Sequence, residues 1–160
     1  MLDLSTAETN LARIHTQITT ADGKGSIVFA LCTAMLGVLA ALVSSVTPCR
    51  GLGLWASAVS AVALFLALLA VAASAFPRTR AGRPSLSYFG SISTMTTDEF
   101  LRACDAVDET QFRADLLIQC HRNAEIATAK FQWLRRAMIF LFVSAVPWLV
   151  AVAALTAARS

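Results

Sequence analysis

Residues 137–158, AMIFLFVSAVPWLVAVAALTAA, carry no charged side chain. As a helix rising about 1.5 Å per residue, this run spans roughly 30 Å, the thickness of a bilayer's hydrocarbon core. The residues ahead of it, 111–136, read QFRADLLIQCHRNAEIATAKFQWLRR, with neither Gly nor Pro. Their apolar positions recur at helical spacing, so they are predicted to form one amphipathic helix. Nothing breaks the chain between the two stretches. A single rod is therefore expected to begin in water and end in lipid.

Two further stretches lack charge. Residues 26–46, SIVFALCTAMLGVLAALVSSV, and residues 51–76 are each long enough to cross a bilayer. The short link Thr47-Pro-Cys-Arg50 forces them into an antiparallel hairpin. Both are rich in Ala, Gly and Ser, which let helix backbones approach closely in lipid. Composition agrees: 57% of the 160 residues are hydrophobic and 14% charged, against about 25% charged in an ordinary soluble domain. The length leaves room for one domain. A net charge of +3 without clustering excludes a nucleic-acid partner. Cys32, Cys49, Cys104 and Cys120 form no CxxC, and they read as small packing residues rather than disulfides or a zinc site.

The polar segments are patterned too. In residues 1–24, Ser5-Thr-Ala-Glu8 has the form of a capping box. Leu4, Leu11, Ile14, Ile18 and Ala21 then mark an apolar stripe, with Asn10, Arg13, Gln17 and Thr20 opposite. Asp3, Glu8 and Asp22, with no basic leader, argue against a signal peptide. Residues 77–84, PRTRAGRP, read as loop, and residues 85–92, SLSYFGSI, as an extended or turn segment around Gly90. Thr96-Thr-Asp-Glu99 is a second capping box, opening a helix over 97–107 with Phe100, Leu101, Cys104 and Val107 inward. Asp108 to Gln111 offers a third, opening the long helix. On that helix Phe112, Leu116, Gln119 or Cys120, Asn123, Ala127, Lys130 and Leu134 share a stripe that is apolar at its ends and polar in its middle. Trp133 falls where an interfacial aromatic anchor is expected.

Lys and Arg number two in the N-terminal arm, one in the first turn, nine in the centre and one in the tail. Eleven against two places the N-terminus and the centre in the cytoplasm and the tail outside. The expected fold is an all-α membrane protein. Residues 1–24 form a cytoplasmic amphipathic helix and 25–76 a transmembrane hairpin, with spans at about 26–46 and 51–76. Residues 77–136 form a cytoplasmic sensing region and 137–158 a third transmembrane helix. The N-terminal helix, a short helix and the long helix continuous with the last span make the cytoplasmic bundle.

No enzyme is expected. The chain has two histidines, His15 and His121, both on polar helices, where surface or core roles are commonest. It has no HExxH, GxSxG or Walker loop. No Asp, Glu, Lys, Arg or His lies inside a span, which disfavours an ion-coupled transporter. Pro147 in the third span reads as a tolerated kink, with a gating hinge as the sharper alternative. Asp22 and Lys24 stand where the first helix meets the membrane. Lys24 can snorkel to headgroups, and Asp22 has Lys24, Arg135 and Arg136 as prospective partners. Tyr88 and Phe89 can plug the base of the bundle or stack on a nucleobase. Gln119, Asn123 and Lys130, with Arg113, Arg122 and Arg102, offer donors to a phosphate. The plain alternative for these charges is a solvated basic face.

The order AD-x-K before a transmembrane hairpin, SxxYFGxI, TxDEFL, and IAxAKFxWL entering the last span resembles the Pycsar transmembrane effectors, over residues 10 to about 155. The matching positions are Ala21, Asp22, Lys24, Tyr88, Phe89, Gly90, Ile92, Asp98, Glu99, Phe100, Leu101, Ile126, Ala127, Lys130 and Phe131. Gly25 departs from the Ala found there in the family, which loosens the helix by roughly 1 kcal/mol. The resemblance implies a membrane effector of a bacterial anti-phage system. A partner pyrimidine cyclase makes cyclic UMP or cyclic CMP, and the effector senses it and impairs the inner membrane, causing abortive infection. No other cofactor is implied. Ligand-binding residues are expected among Asp22, Lys24, Tyr88, Phe89, Arg102, Arg113, Asn123 and Lys130, in a homo-oligomer. The alternatives are a scaffolding membrane protein that binds a protein partner through its cytoplasmic bundle, and a small transporter or membrane-enzyme subunit.

Overall fold

The computed structural model describes residues 3–45, 51–76 and 85–158. The first turn with Cys49 and Arg50, the basic loop over 77–84, and Arg159 lie outside these residues. Five helices and no strand occur among the described residues: α1 (Leu4–Ser44), α2 (Leu52–Ala75), α3 (Phe89–Ile92), α4 (Thr97–Ala106) and α5 (Glu109–Ala157). The predicted continuity holds at both ends of the chain. The arm and the first apolar run form one helix of 41 residues, and the rod and the last run form one of 49. Gly23 and Gly25 do not interrupt α1, and Pro147 lies inside α5.

The two long helices bury their residues with one period. On α1, Leu4, Ala7, Leu11, Ile14, Ile18, Ala21, Gly25, Val28, Cys32, Met35, Leu39 and Leu42 are buried or half-buried. On α5 the same holds for Leu116, Cys120, Asn123, Ala127, Lys130, Leu134, Ala137, Leu141, Ser144, Trp148, Ala151 and Leu155. The spacing alternates between three and four throughout, a repeat of 3.5, which keeps a seam turned toward a partner helix.

By its internal contacts the chain divides into two compact units. One comprises Met1–Thr20 and Pro77–Ala129, and the other Ala21–Phe76 and Lys130–Ser160. In the second, apolar unit, α1 and α5 run parallel: Asp22 meets Lys130, and the indole N–H of Trp148 donates to the Met35 carbonyl at 3.1 Å. Helix α2 is antiparallel to both. Its start lies so close to the end of α5 that a Cβ on Gly53 would stand 3.3 Å from Ala154 and Leu155. Its buried face is mostly small (Ala56, Ser57, Ser60, Ala63, Ala67, Ala70 and Ser74 around Leu64), as close packing between apolar helices requires. Pro147 has no N–H to give its own helix. Near it Ser60 Oγ donates to the Ser144 carbonyl at 3.3 Å, so polar groups are satisfied between helices. The outward faces carry Ile27, Trp55, Phe65, Phe142 and Val146, all more than half exposed. Large apolar side chains facing outward all round mark a surface that lipid covers. All three helices of this unit are long and apolar enough to span a membrane, and the chain is a multi-pass membrane protein.

In the first, polar unit, α1 opens on Asp3 rather than the expected Ser5. Asp3 Oδ1 accepts the Thr6 N–H at 2.9 Å, because Leu4 is already helical and the cap belongs one residue before it. Hydrogen bonds from Thr6, hydroxyl and then backbone, hold the Asp3 carboxyl below its usual range. The box at Thr96 forms as expected: Glu99 N donates to Thr96 Oγ1, and Thr96 N to Glu99 Oε2 at 2.8 Å. Gln111 N likewise donates to Asp108 Oδ1 at 2.7 Å, opening α5. On α4 the inward residues are Phe100, Ala103 and Val107; Leu101 and Cys104 are exposed. With only ten residues, α4 shows its neighbours a narrower stripe than the one read from hydropathy.

The Thr96 backbone N–H, followed by its hydroxyl, holds the Glu99 carboxyl below its ordinary 4.5. A depressed acid contributes stability above its unfolded pKa and loses it as pH falls through the folded one. Helix α4 is therefore expected to fray below about pH 4.5, read as lost protection of the Glu99 amide. Glu99→Gln should flatten that acid dependence. An amide equally protected at about pH 6 and pH 3 would show that the box contributes nothing.

Candidate functional site

The polar unit holds a cleft of about 350 Å³ whose wall is one face of α5. Phe112, Asp115, Gln119 and Arg122 follow one another along it at spacings of three and four, so their side chains stack on one side of the helix. Leu86 and Val107 close the other sides.

Asp115 builds this wall. Its Oδ2 accepts Ser85 Oγ at 2.8 Å, Leu86 N at 3.1 Å, Ser87 N at 3.2 Å and Ser87 Oγ at 2.9 Å. One carboxylate oxygen thus fastens residues 85–87 to α5 and presents Leu86 to the cleft. Just beyond, α3 is a single helical turn where an extended or turn segment was expected. A Cβ at Gly90 would stand 2.5 Å from the Tyr88 ring, so a larger residue there would need that ring to move.

Gln119 is 4% exposed, and its Nε2 has no hydrogen-bond partner among the described residues. A buried amide N–H without an acceptor is destabilising by about 1–3 kcal/mol, so a protein retains one for a reason other than packing. Arg122 lies half-buried on the same face, one turn further on.

The eight residues expected to hold ligand are divided between the two units. Asp22, Lys24 and Lys130 belong to the apolar unit; Tyr88, Phe89, Arg102, Arg113 and Asn123 belong to the polar one. Asp22 pairs with Lys130, not with Lys24, Arg135 or Arg136. Lys130 lies on the seam of α5, whereas Arg135 and Arg136 lie on its exposed side, and positions two apart on a helix, such as Asp22 and Lys24, do not face each other. Arg136 instead stacks over Trp133, 4.4 Å from the ring centroid. The Asp22–Lys130 pair borders a second cleft, of about 410 Å³, with Ser26, Phe29, Val71 and Ser74. Lys24 is exposed.

Asn123 Nδ2 lies 3.0 Å from Nε2 of the exposed His15, a polar contact at the edge of the seam. The backbone carbonyl of Ala7 accepts from Cys120 Sγ at 3.6 Å, so α1 and α5 run parallel in this unit too. Burial raises the Cys120 thiol above its ordinary range. The Tyr88 and Phe89 rings meet at a tilt of 55° with centroids 4.9 Å apart, and Phe89 is 70% exposed, so it plugs nothing within this unit. Arg102 Nε donates to the Asp98 carbonyl of its own helix. Arg113 is half-buried and does not line the cleft. Sequence reasoning reached Gln119 and Arg122 through the polar middle of the α5 stripe. It missed Asp115, whose only signal was an acid at an inward position, and it did not pair His15 with Asn123.

A family model described as the Pycsar effector protein domain matches residues 6–157. Comparison with curated proteins and with solved structures returns no match.

Proposed function

Because this chain belongs to the Pycsar effector family, and is thereby an anti-phage membrane effector rather than a classical enzyme, we propose that a cyclic pyrimidine nucleotide switches it on. Cyclic UMP or cyclic CMP, made by a partner pyrimidine cyclase on infection, binds the polar unit. The apolar unit then impairs the bacterial inner membrane, and the infected cell stops growing or dies before phage spread. The N-terminus and the polar unit face the cytoplasm, on the Lys and Arg count. The observation that carries this reading is the family match across residues 6–157, which includes both units.

Physical features support it. Helices α1 and α5 are each continuous from the polar unit into the apolar one, so a rearrangement at one end has a covalent route to the other. Binding shifts such an equilibrium only by its difference in affinity for the two arrangements. Three spans enclose no wide pore, so membrane damage requires oligomers.

The test is dye release from liposomes holding the purified protein, with cyclic UMP, cyclic CMP, cyclic AMP and cyclic GMP added separately. Leakage with one pyrimidine cyclic nucleotide alone is expected. Folded, inserted protein that leaks with none of them would overturn direct gating and leave a scaffolding membrane protein as the better reading.

A further inference from the structure

Resting on that reading, we infer that the α5 cleft is the nucleotide site, that Gln119 reads a carbonyl of the base, and that Arg122 holds the phosphate. Gln119 lines this cleft, and its buried Nε2 donor has no acceptor among the described residues. A ligand that brings an acceptor there removes an existing penalty, so binding gains more than one ordinary hydrogen bond. A pyrimidine carries such acceptors on its edge. It is neutral, as a group placed against a buried amide should be, since burying an anion there would be far more costly.

The anion has a different place. Arg122 is half-buried one turn beyond Gln119, within reach of water, where a guanidinium can hold a phosphate diester by charge-assisted hydrogen bonds. The Asp115 carboxylate stands on the far side of Gln119, two turns from Arg122 along α5. Its repulsion drives the phosphate toward Arg122 and the base toward Asp115. Phe112 and Leu86 supply the apolar surfaces on which a flat ring is held. At about 350 Å³ the cleft lies within the range of small-molecule sites.

The test measures binding of cyclic UMP and cyclic CMP to the full-length protein in nanodiscs, together with thermal stability, for the wild type, Gln119→Leu, Arg122→Gln and His121→Gln. Leu fills the volume of Gln without an unpaired donor. Gln119→Leu is therefore expected to unfold at the same temperature as wild type or higher, yet to bind the nucleotide at least about tenfold more weakly. Arg122→Gln should weaken binding by a similar factor and flatten its salt dependence. His121→Gln, at an exposed position outside the cleft, should leave binding unchanged. Wild-type protein that binds, with Gln119→Leu binding within about twofold of it, would overturn this site and leave the gated-effector reading standing. Wild-type protein that binds neither nucleotide would overturn both.

Discussion

Asp115→Ala is expected to release residues 85–87 from α5 and open the cleft. Four donors converge on Oδ2, two of them backbone N–H groups. Ser85, only 4% exposed, has little access to replacement water. Hydrogen bonds to a charged group contribute about 1.5–3 kcal/mol each and are not additive. A local destabilisation of about 3 kcal/mol is therefore the conservative expectation. It should appear as roughly hundredfold faster hydrogen exchange at the Leu86 and Ser87 amides. Exchange in the apolar unit should not change. Asp115→Asn keeps an acceptor but loses the charge, so it should fall between the two. Exchange at Leu86 that matches wild type in the Ala variant would mean that residues 85–87 are held by something other than this carboxylate.

Breaking the Asp22–Lys130 pair should have unequal consequences from its two sides. The Lys130 side chain is 14% exposed and that of Asp22 is 51% exposed. Lys130→Met leaves a carboxylate that water can reach and retains the apolar stem packed in the seam. Its expected effect is below about 1 kcal/mol, the range of exposed pairs. Asp22→Asn instead leaves an ammonium mostly buried without a counter-charge. Fully buried pairs lose about 3–5 kcal/mol when one partner is removed. Discounted for the exposure of Asp22, the loss should be about 2 kcal/mol. The double variant should recover most of it. The measurement is a double-mutant cycle on thermal unfolding in detergent. Equal losses, or a larger one for Lys130→Met, would rule out burial of the ammonium as the controlling effect.

Both predictions concern contacts between residues far apart in sequence, and that separation marks where sequence reading ended. The three spans were legible because hydropathy is a sum over about twenty neighbouring residues, and chain order alone supplies it. The seams of α1 and α5 were legible for the same reason: Leu11, Ile14 and Ile18, or Leu116, Ala127 and Leu134, repeat at a period that backbone geometry imposes. The box at Thr96 and Glu99 closes within one turn, so two residue types three apart were enough to find it. Even there the first cap was misplaced by two residues, since Asp3 and Ser5 are both good caps and the start of α1 decides between them.

Partners across the helices were a different matter. Asp22 had Lys24, Arg135 and Arg136 as prospective partners, and it found a fourth, Lys130, 108 residues away. The register of two long helices selected that partner. Asp115 looked like one more acid on a polar helix until residues 85–87 folded back on it. The expected ligand residues were chosen by chemical type, and type does not say which side chains meet. By itself the sequence determined the three long helices, the apolar seams of α1 and α5, their continuity and the membrane, because each follows from local periodicity and composition. Tertiary structure alone decided the Lys130 partner, the Asp115 hub and the unpaired amide of Gln119, because each depends on where one helix stands against another.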